Sequence, residues 1–316
     1  TDCVEVCPVA NEPMVDILRA RQDLVMMESK FPKEAVTTFK NLEVNGNPWG
    51  QSAQDREKWI GDLNVPKMRE KGKAEYLYWV GCAGAYDARG QAVSQAMVKL
   101  MNHANIDYAV LGTEETCTGD SARRLGNEYL FQMMAQQNID TFDNYGVTKI
   151  ITQCPHCLNT LKNDYKALGK NYEVIHHAEF LAELVDQGKI SPAKASNSNI
   201  AYHDSCYLGR HNDIYDAPRD VIKAIPGVNL EEFPRAMNEG LCCGAGGGRM
   251  WLEETLGDKT INVERMEDVK TINPDEVATA CPFCATMIND GIKAEELDAK
   301  TSSKDIAQYL LESLAE

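Results

Sequence analysis

Cysteine is the residue of this sequence whose type and spacing are best suited to chemistry. Five cysteines near the end form three loops: a single residue, an adjacent pair, and a C-P-x-C motif. They are Cys206, Cys242, Cys243, Cys281 and Cys284. Four others follow the same order earlier in the chain, namely Cys82, Cys117, Cys154 and Cys157. The remaining two, Cys3 and Cys7, stand near the amino terminus.

Soft thiolate ligands select iron-sulfur clusters, zinc or copper(I), and four or more converging cysteines suit the first two best. A structural zinc ion is closed by four ligands. The later group has five, of which Cys242 and Cys243 are adjacent and cannot comfortably chelate one tetrahedral ion together. Glycines at 244, 246, 247 and 248 would let backbone N–H groups approach a bulky inorganic core. This pattern favours a multi-iron cluster.

An internal repeat predicts how these cysteines are positioned. A strand-like run at 76–81 leads to Cys82, and a second at 200–203 leads to Cys206. Between the first two cysteine positions lie 34 residues in the first copy and 35 in the second. Short strands that alternate with helices indicate an α/β fold with mainly parallel sheets, in which the loops after the strands converge. The repeat therefore predicts two similar lobes, each with its own metal site.

We expect three regions: residues 1–73, residues 74–190 and residues 191–316, with the polar segment 188–199 linking the two lobes. Apolar residues at helical spacing between Pro13 and Leu42 predict helix packed on a core, with Met14, Ile17, Leu18, Leu24 and Val25 on its inner face.

Composition narrows the class of protein. With 316 residues and 43% hydrophobic residues the chain is globular, and its net charge of −16 would repel nucleic acid. No uncharged apolar run approaches the roughly 18 residues of a membrane-spanning helix. Eleven clustered cysteines are too few for a disulfide scaffold, so we expect a reducing, cytoplasmic setting.

The order Cys206, Cys242-Cys243-Gly244, Cys281-Pro282-Phe283-Cys284 resembles the cysteine-rich CCG domain. This domain occurs in the B-type and D-type subunits of heterodisulfide reductase and in the iron-sulfur subunits of glycolate and lactate oxidation systems. The resemblance covers both repeats, and the segment 47–50 also looks like the one that precedes such domains. It implies two pseudo-symmetric CCG lobes after a partial ferredoxin-like helical segment. It also implies a non-cubane [4Fe-4S] cluster on the five later cysteines.

The first lobe departs from the family pattern because Thr118 stands where the second cysteine of the pair would be. Its four cysteines suit a cubane [4Fe-4S] cluster, a zinc ion, or a modified cluster with an oxygen ligand. Of these we expect an iron-sulfur cluster.

The fragment Cys3-x-x-x-Cys7-Pro8 matches the end of a ferredoxin motif whose preceding cysteine would lie one residue before Thr1. We therefore expect a longer natural chain whose upstream part is a ferredoxin-like module with one or two cubane clusters. The alternative is that Cys3 and Cys7 are stray thiols beside the terminus.

The resemblance implies an oxidoreductase that passes electrons from a dehydrogenase or electron-transfer flavoprotein through 4Fe-4S clusters to a quinone. Relatives of this kind often carry an upstream membrane haem domain, which would place the protein at the cytoplasmic face of a membrane. Two alternatives stay open: reduction of a thiol heterodisulfide at the non-cubane cluster, and a zinc-stabilised scaffold.

Other polar residues give weaker signals. His156 and His203 stand near the ligand loops, where they could donate to a cluster sulfur or relay a proton, and His176 and His177 look structural. Acidic residues that flank the cysteines are expected to be helix caps or solvated groups: Asp120, Asp204 and Glu239. No residue is assigned as catalytic.

Overall fold

The computed structural model describes residues 1–5, 7–255 and 257–315. Eight strands in these ranges form two four-stranded sheets. They are β1 (Tyr76–Trp79), β2 (Tyr108–Ala109), β3 (Lys149–Thr152), β4 (Glu173–His176), β5 (Asn199–Tyr202), β6 (Asn229–Glu231), β7 (Glu276–Thr279) and β8 (Ser302–Asp305). The orders are β2-β1-β3-β4 and β6-β5-β7-β8, and every pair is parallel. The two sheets thus have the same topology, which confirms the predicted α/β fold with two lobes.

Helices separate the strands. The first lobe and its preceding segment contain α1 (Asp2–Glu5), α2 (Pro13–Glu28), α3 (Lys33–Asn45), α4 (Met68–Lys71), α5 (Gly81–Tyr86), α6 (Ala88–His103), α7 (Asp120–Arg124), α8 (Glu128–Tyr145), α9 (Pro155–Lys162) and α10 (His177–Asp186). The second lobe contains α11 (Gly209–Asn212), α12 (Asp216–Lys223), α13 (Ile261–Ile272), α14 (Pro282–Ala294) and α15 (Ile306–Glu312). Short 3₁₀ helices cover Ala53–Ile60, Gly112–Glu114, Asp164–Leu168, Met237–Glu239 and Arg249–Trp251.

The central strands are apolar because helices cover both faces of each sheet. In β1 the last three side chains are buried, as they are in β3, β5 and β7. A parallel strand buried on both faces reads as a continuous apolar run, which is the pattern in Tyr76–Trp79.

The two lobes share one hydrophobic core. Helix α6 of the first lobe packs against α15 of the second, and α10 packs against α12. Across this boundary the Nε2 atom of His177 lies 2.9 Å from Oδ1 of Asp305, and both side chains are buried. The lobes are therefore held against each other by apolar packing and a buried polar contact.

The stretch from Pro13 to Leu42 is helical as predicted, but it is divided into α2 and α3. Helix α3 buries Phe39 and Leu42, whereas α2 has no fully buried side chain. Ile17 and Leu24 of α2 remain 50% and 41% exposed, so the prediction that they pack in the interior is wrong. Helical spacing shows which residues share a face but not what covers that face.

Candidate metal centres

The second lobe gathers its five predicted cysteines at the carboxyl ends of β5 and β7, and we call this group the second cage. Its members are Cys206, Cys242, Cys243, Cys281 and Cys284. The last three are buried and the first two are partly exposed. Cys281 is the N-cap of α14 and Pro282 its first residue, so Cys284 stands in the first helical turn. The positive end of the helix dipole favours negative charge at this end of α14. In the metal-free cage, however, hydrogen bonds with Cys243 and Cys281 raise the pKa of Cys284 well above its usual range.

The thiols of the second cage interact with one another but are not bonded. Sγ of Cys284 lies 3.4 Å from Sγ of Cys243, far longer than the roughly 2.05 Å of a disulfide. Hydrogen bonds from Cys206 and Cys243 lower the pKa of Cys242 well below its usual range, and they raise the pKa of both donors. A cluster of partly ionised thiols is a metal-binding arrangement, since positive charge relieves their mutual repulsion.

A buried histidine adjoins this cage. His203 is 1% exposed, and neither ring nitrogen has a hydrogen-bond partner among the described residues. Its ligand atom and the Sγ atoms of Cys243 and Cys284 lie within 4.8 Å of one another. Burial lowers the pKa of His203 to about 3, so the imidazole is neutral and carries one N–H. A buried donor without an acceptor is costly, and a cluster sulfide beside it would accept that hydrogen bond.

Glycine leaves room beside the same thiols. A Cβ atom at Gly246 would lie 3.7 Å from Sγ of Cys206. The backbone N–H of Gly244, where φ is +98°, donates to Sγ of Cys242 at 3.3 Å. The donor set, the space and the orphaned imidazole all fit an iron-sulfur cluster in the second cage.

The first lobe gathers its four predicted cysteines in the same way, and we call them the first cage: Cys82, Cys117, Cys154 and Cys157. All four line one small cavity under Trp49 and Phe283. Cys154 is the N-cap of α9, as Cys281 is of α14. The repeat seen in the sequence is thus a repeat of thiol geometry.

A buried arginine accompanies the first cage, and sequence reasoning missed it. Arg56 donates from Nη2 to Sγ of Cys82 at 3.4 Å and from Nη1 to Glu115 at 2.6 Å. Glu115 also accepts the N–H groups of Val80 and Gly81 at 3.1 and 2.9 Å. Burial alone would raise the pKa of Cys82. A hydrogen bond from Cys117 and the charge of Arg56 outweigh this effect and lower the pKa to about 6. Burial raises the pKa of Glu115 to about 7.

Thr118, the residue that replaces the fifth cysteine, lines the cavity of the first cage. Its hydroxyl is buried and has no hydrogen-bond partner in the part of the chain that the structure describes. Nε1 of Trp79 is likewise buried and has no hydrogen-bond partner among the described residues. It faces a small space beside Cys157, since a Cβ atom at Gly81 would lie 3.5 Å from Sγ of Cys157 and 3.9 Å from Nε1 of Trp79. These buried groups also fit a cluster whose sulfides accept hydrogen bonds.

The two amino-terminal cysteines lie outside both cages. Cys3 is exposed, and the partly buried Cys7 accepts a hydrogen bond from the N–H of Asn11 at 3.2 Å. Arg210 holds this segment on the second lobe through Thr1 Oγ1 at 2.9 Å. Cys3 lines the same cavity of about 770 Å³ as Cys206 and Cys242. The terminal segment is therefore a neighbour of the second cage.

The acidic residues beside the cysteines differ from expectation. Asp120 is buried and pairs with Arg124 at 3.0 Å and with His156 at 3.2 Å. Asp204 is also buried and accepts two hydrogen bonds from Arg219. Hydrogen bonding to His156 lowers the pKa of Asp120 to about 2 against the opposing effect of burial. These two are buried ion pairs rather than caps or solvated groups, whereas Glu239 is exposed.

His156 connects the two cages. Burial alone would lower its pKa, but hydrogen bonds to Asp120 and to Cys281 raise the pKa well above its usual range. In turn the pKa of Cys281, which burial would raise, is lowered by hydrogen bonds from Cys284 and His156. The ring of His156 also lies 5.0 Å from that of Phe283, so a side chain of the first lobe packs against a ligand loop of the second.

A family model for the cysteine-rich domain, CCG, matches residues 76–162 and 200–289, one match to each lobe. The chain belongs to the cysteine-rich CCG-domain family. Both matches include the cysteines of a cage, and they lie inside the second and third regions predicted from the sequence. The limits of those regions stay predictions.

Several curated proteins resemble this chain over nearly its whole length. It is 47% identical to an EtfAB:quinone oxidoreductase of Syntrophomonas wolfei and 44% identical to a probable iron-sulfur-binding oxidoreductase, FadF, of Bacillus subtilis. Each match covers 99% of this chain and 45% of the relative. It is 33% identical to the D-type polypeptide of a dihydromethanophenazine:CoB–CoM heterodisulfide reductase of Methanosarcina barkeri, covering 99% of this chain and 76% of that protein.

These relatives confirm the family that the sequence predicted. The chain spans about half the length of the first two. Within the described ranges, no helix is both long enough and apolar enough to cross a membrane.

Proposed function

We propose that this chain carries electrons through iron-sulfur clusters from a dehydrogenase or electron-transfer flavoprotein to a quinone. The observation that carries the proposal is the pair of cages, in which nine thiols converge with buried N–H donors that have no acceptor among the described residues. The relatives named as a quinone oxidoreductase and as an iron-sulfur-binding oxidoreductase support it. Iron-sulfur clusters supply one-electron carriers whose potentials are set by their thiolate ligands and by hydrogen bonds to sulfur.

We assign the ligands by cage. The five thiols of the second cage hold a non-cubane [4Fe-4S] cluster, and the four of the first hold a cubane [4Fe-4S] cluster, with zinc as the alternative there. Cys3 and Cys7 belong to a ferredoxin-like cubane cluster. Since Cys3 and Cys206 line one cavity, this assignment places the amino-terminal cluster next to the second cage.

The residues of the first cage prepare it for a negatively charged group. Arg56 offers a buried positive charge to Cys82, and Thr118 and Trp79 offer O–H and N–H donors. A quinone is a membrane lipid, so we place the working protein at the cytoplasmic face of a membrane, held there by another segment or by a partner such as a haem domain.

Rapid mixing tests this function. Reduced electron-transfer flavoprotein should bleach the visible absorption of the anaerobic, cluster-loaded chain, and a quinone analogue should restore it. The variant Cys243→Ser should lose this relay, whereas Cys154→Ser should alter only the first-lobe signal. A loaded chain that exchanges electrons with neither partner would refute the proposal.

A second candidate is reduction of a thiol heterodisulfide at the second cage. It is favoured by the cavity of about 770 Å³ that opens on Cys206 and Cys242, the two partly exposed thiols of that cage. Substrate thiol should then perturb the paramagnetic signal of the second cage and leave that of the first unchanged. No change in either signal would leave electron relay to quinone as the function.

A further inference from the structure

Each cage contains one backbone donor at the same place in the repeat. The N–H of Gly119 donates to Sγ of Cys117 at 3.5 Å, and the N–H of Gly244 donates to Sγ of Cys242 at 3.3 Å. In both copies the glycine follows the cysteine by two residues. The backbone thus gives the two cages the same kind of hydrogen bond to sulfur, so it does not set them apart.

A charged side-chain donor distinguishes the first cage from the second. Nη2 of Arg56 donates to Sγ of Cys82 at 3.4 Å, and the arginine side chain is only 2% exposed. Among the described residues, no arginine or lysine donates a hydrogen bond to a thiol of the second cage. Because water screens a buried hydrogen bond only weakly, the arginine acts on the first cage with most of its electrostatic strength.

Two further contacts hold the guanidinium of Arg56 in place. Nη1 donates to Oε1 of Glu115 at 2.6 Å, and the N–H groups of Val80 and Gly81 anchor the same carboxylate at 3.1 and 2.9 Å. Cζ of the arginine lies 5.2 Å from the ring centroid of Tyr86. All of these partners belong to the first lobe, so a change at Arg56 should act on the first cage and leave the second unaffected.

We propose that Arg56 is a positioning residue that raises the reduction potential of the cluster in the first cage through its hydrogen bond to Cys82. This rests on the proposed function, because it requires an iron-sulfur cluster in the first cage. A reduced cluster carries one more negative charge than an oxidised one, so a donor to a ligand sulfur stabilises the reduced form. The first lobe therefore holds an electron more readily than it would without the arginine.

The donor can be removed without leaving a buried charge unpaired. Arg56→Met alone would leave the carboxylate of Glu115 buried without its cation, which is costly. The double variant Arg56→Met with Glu115→Gln removes both charges, whereas Glu115→Gln alone keeps the arginine donor. Arg69→Met is the matched control, because Arg69 donates at 2.6 Å to Glu57 of the same 3₁₀ helix and, among the described residues, to no cage thiol.

The test is a redox titration of the full, anaerobically loaded chain followed by paramagnetic resonance, with iron and sulfide counted in each variant. We expect a lower first-lobe potential in the double variant than in Glu115→Gln. Arg69→Met should match the original chain, and the second-lobe potential should be the same in all variants. Equal first-lobe potentials in fully loaded Glu115→Gln and double variants would overturn the inference, as would an equal shift of both lobes.

A further variant covers the case in which the double variant does not take up iron. Arg56→Lys keeps a buried cation for Glu115 but gives up the planar fork that reaches Glu115 and Cys82 from separate nitrogens. Its first-lobe potential should fall, and no fall would overturn the inference. Zinc in the first cage beside a cluster in the second would overturn this inference alone. Failure of the proposed function is distinct, since neither cage of the original chain would then hold a cluster.

Discussion

Arg56 and Cys82 are 26 positions apart in sequence, yet Nη2 of the arginine lies 3.4 Å from the cysteine sulfur in a buried site. The arginine comes from the 3₁₀ helix Ala53–Ile60, and the cysteine from the first turn of α5, directly after β1. The connector before the first lobe is therefore part of its metal centre.

Replacing Arg56 with Met should lower the free energy of unfolding of the metal-free chain by about 3–5 kcal/mol, because Glu115 would be left buried without its partner. The double variant with Glu115→Gln should recover part of this loss. Urea unfolding under reducing conditions measures both. Arg19→Met removes an exposed pair with Asp16 and should cost less than about 1 kcal/mol. An equally small loss of unfolding free energy in Arg56→Met would contradict the role of Arg56 as the buried partner of Glu115.

Replacing His203 should stabilise the metal-free chain but weaken the retention of iron in the loaded chain. His203→Leu removes a buried imidazole that has no hydrogen-bond partner in the described part of the chain, so it should stabilise the metal-free chain by about 1–3 kcal/mol. It should also speed the loss of iron from the second cage, because a donor to the cluster is gone. Tyr309→Phe is the control: it removes a buried hydroxyl that also has no hydrogen-bond partner among the described residues. Because Tyr309 lies in α15, which carries no cage cysteine, this variant should leave iron retention unchanged. Slower loss of iron from His203→Leu would contradict this account.

Thr118 is the residue that separates the first cage from the second. Thr118→Cys restores the missing thiol at a buried position that lines the first cavity. We expect the paramagnetic signal of the first lobe to become like that of the second, while Thr118→Ser should keep the original signal. If both variants give the same first-lobe signal, the fifth thiol does not decide cluster type.

The metal-free second cage should be sensitive to air. Since Cys243 and Cys284 have sulfur atoms 3.4 Å apart, oxidation should join them as a disulfide, which peptide mapping by mass spectrometry detects. Loading with iron and sulfide should protect both thiols. A disulfide formed equally fast in the loaded chain would show that these cysteines do not bind the cluster.

The sequence predicted the parts of the site that lie in local motifs. Strand, cysteine loop and helix recur in both copies, so periodicity and spacing identified the fold class and both groups of thiols. Arg56 could not be predicted, because only folding brings the connector to Cys82. The contact of His156 with Phe283 likewise depends on how the two lobes pack, which no local spacing encodes. For α2, helical spacing wrongly suggested burial because it does not show what lies opposite.

One measurement tests the central claim most directly: iron, sulfide and zinc counts on the anaerobically purified full chain, together with its paramagnetic resonance spectrum. The account predicts a coloured protein with at least about four irons and four sulfides per chain, and a paramagnetic signal of the second cage that is lost in Cys284→Ser. A colourless protein that holds zinc and no sulfide would contradict it.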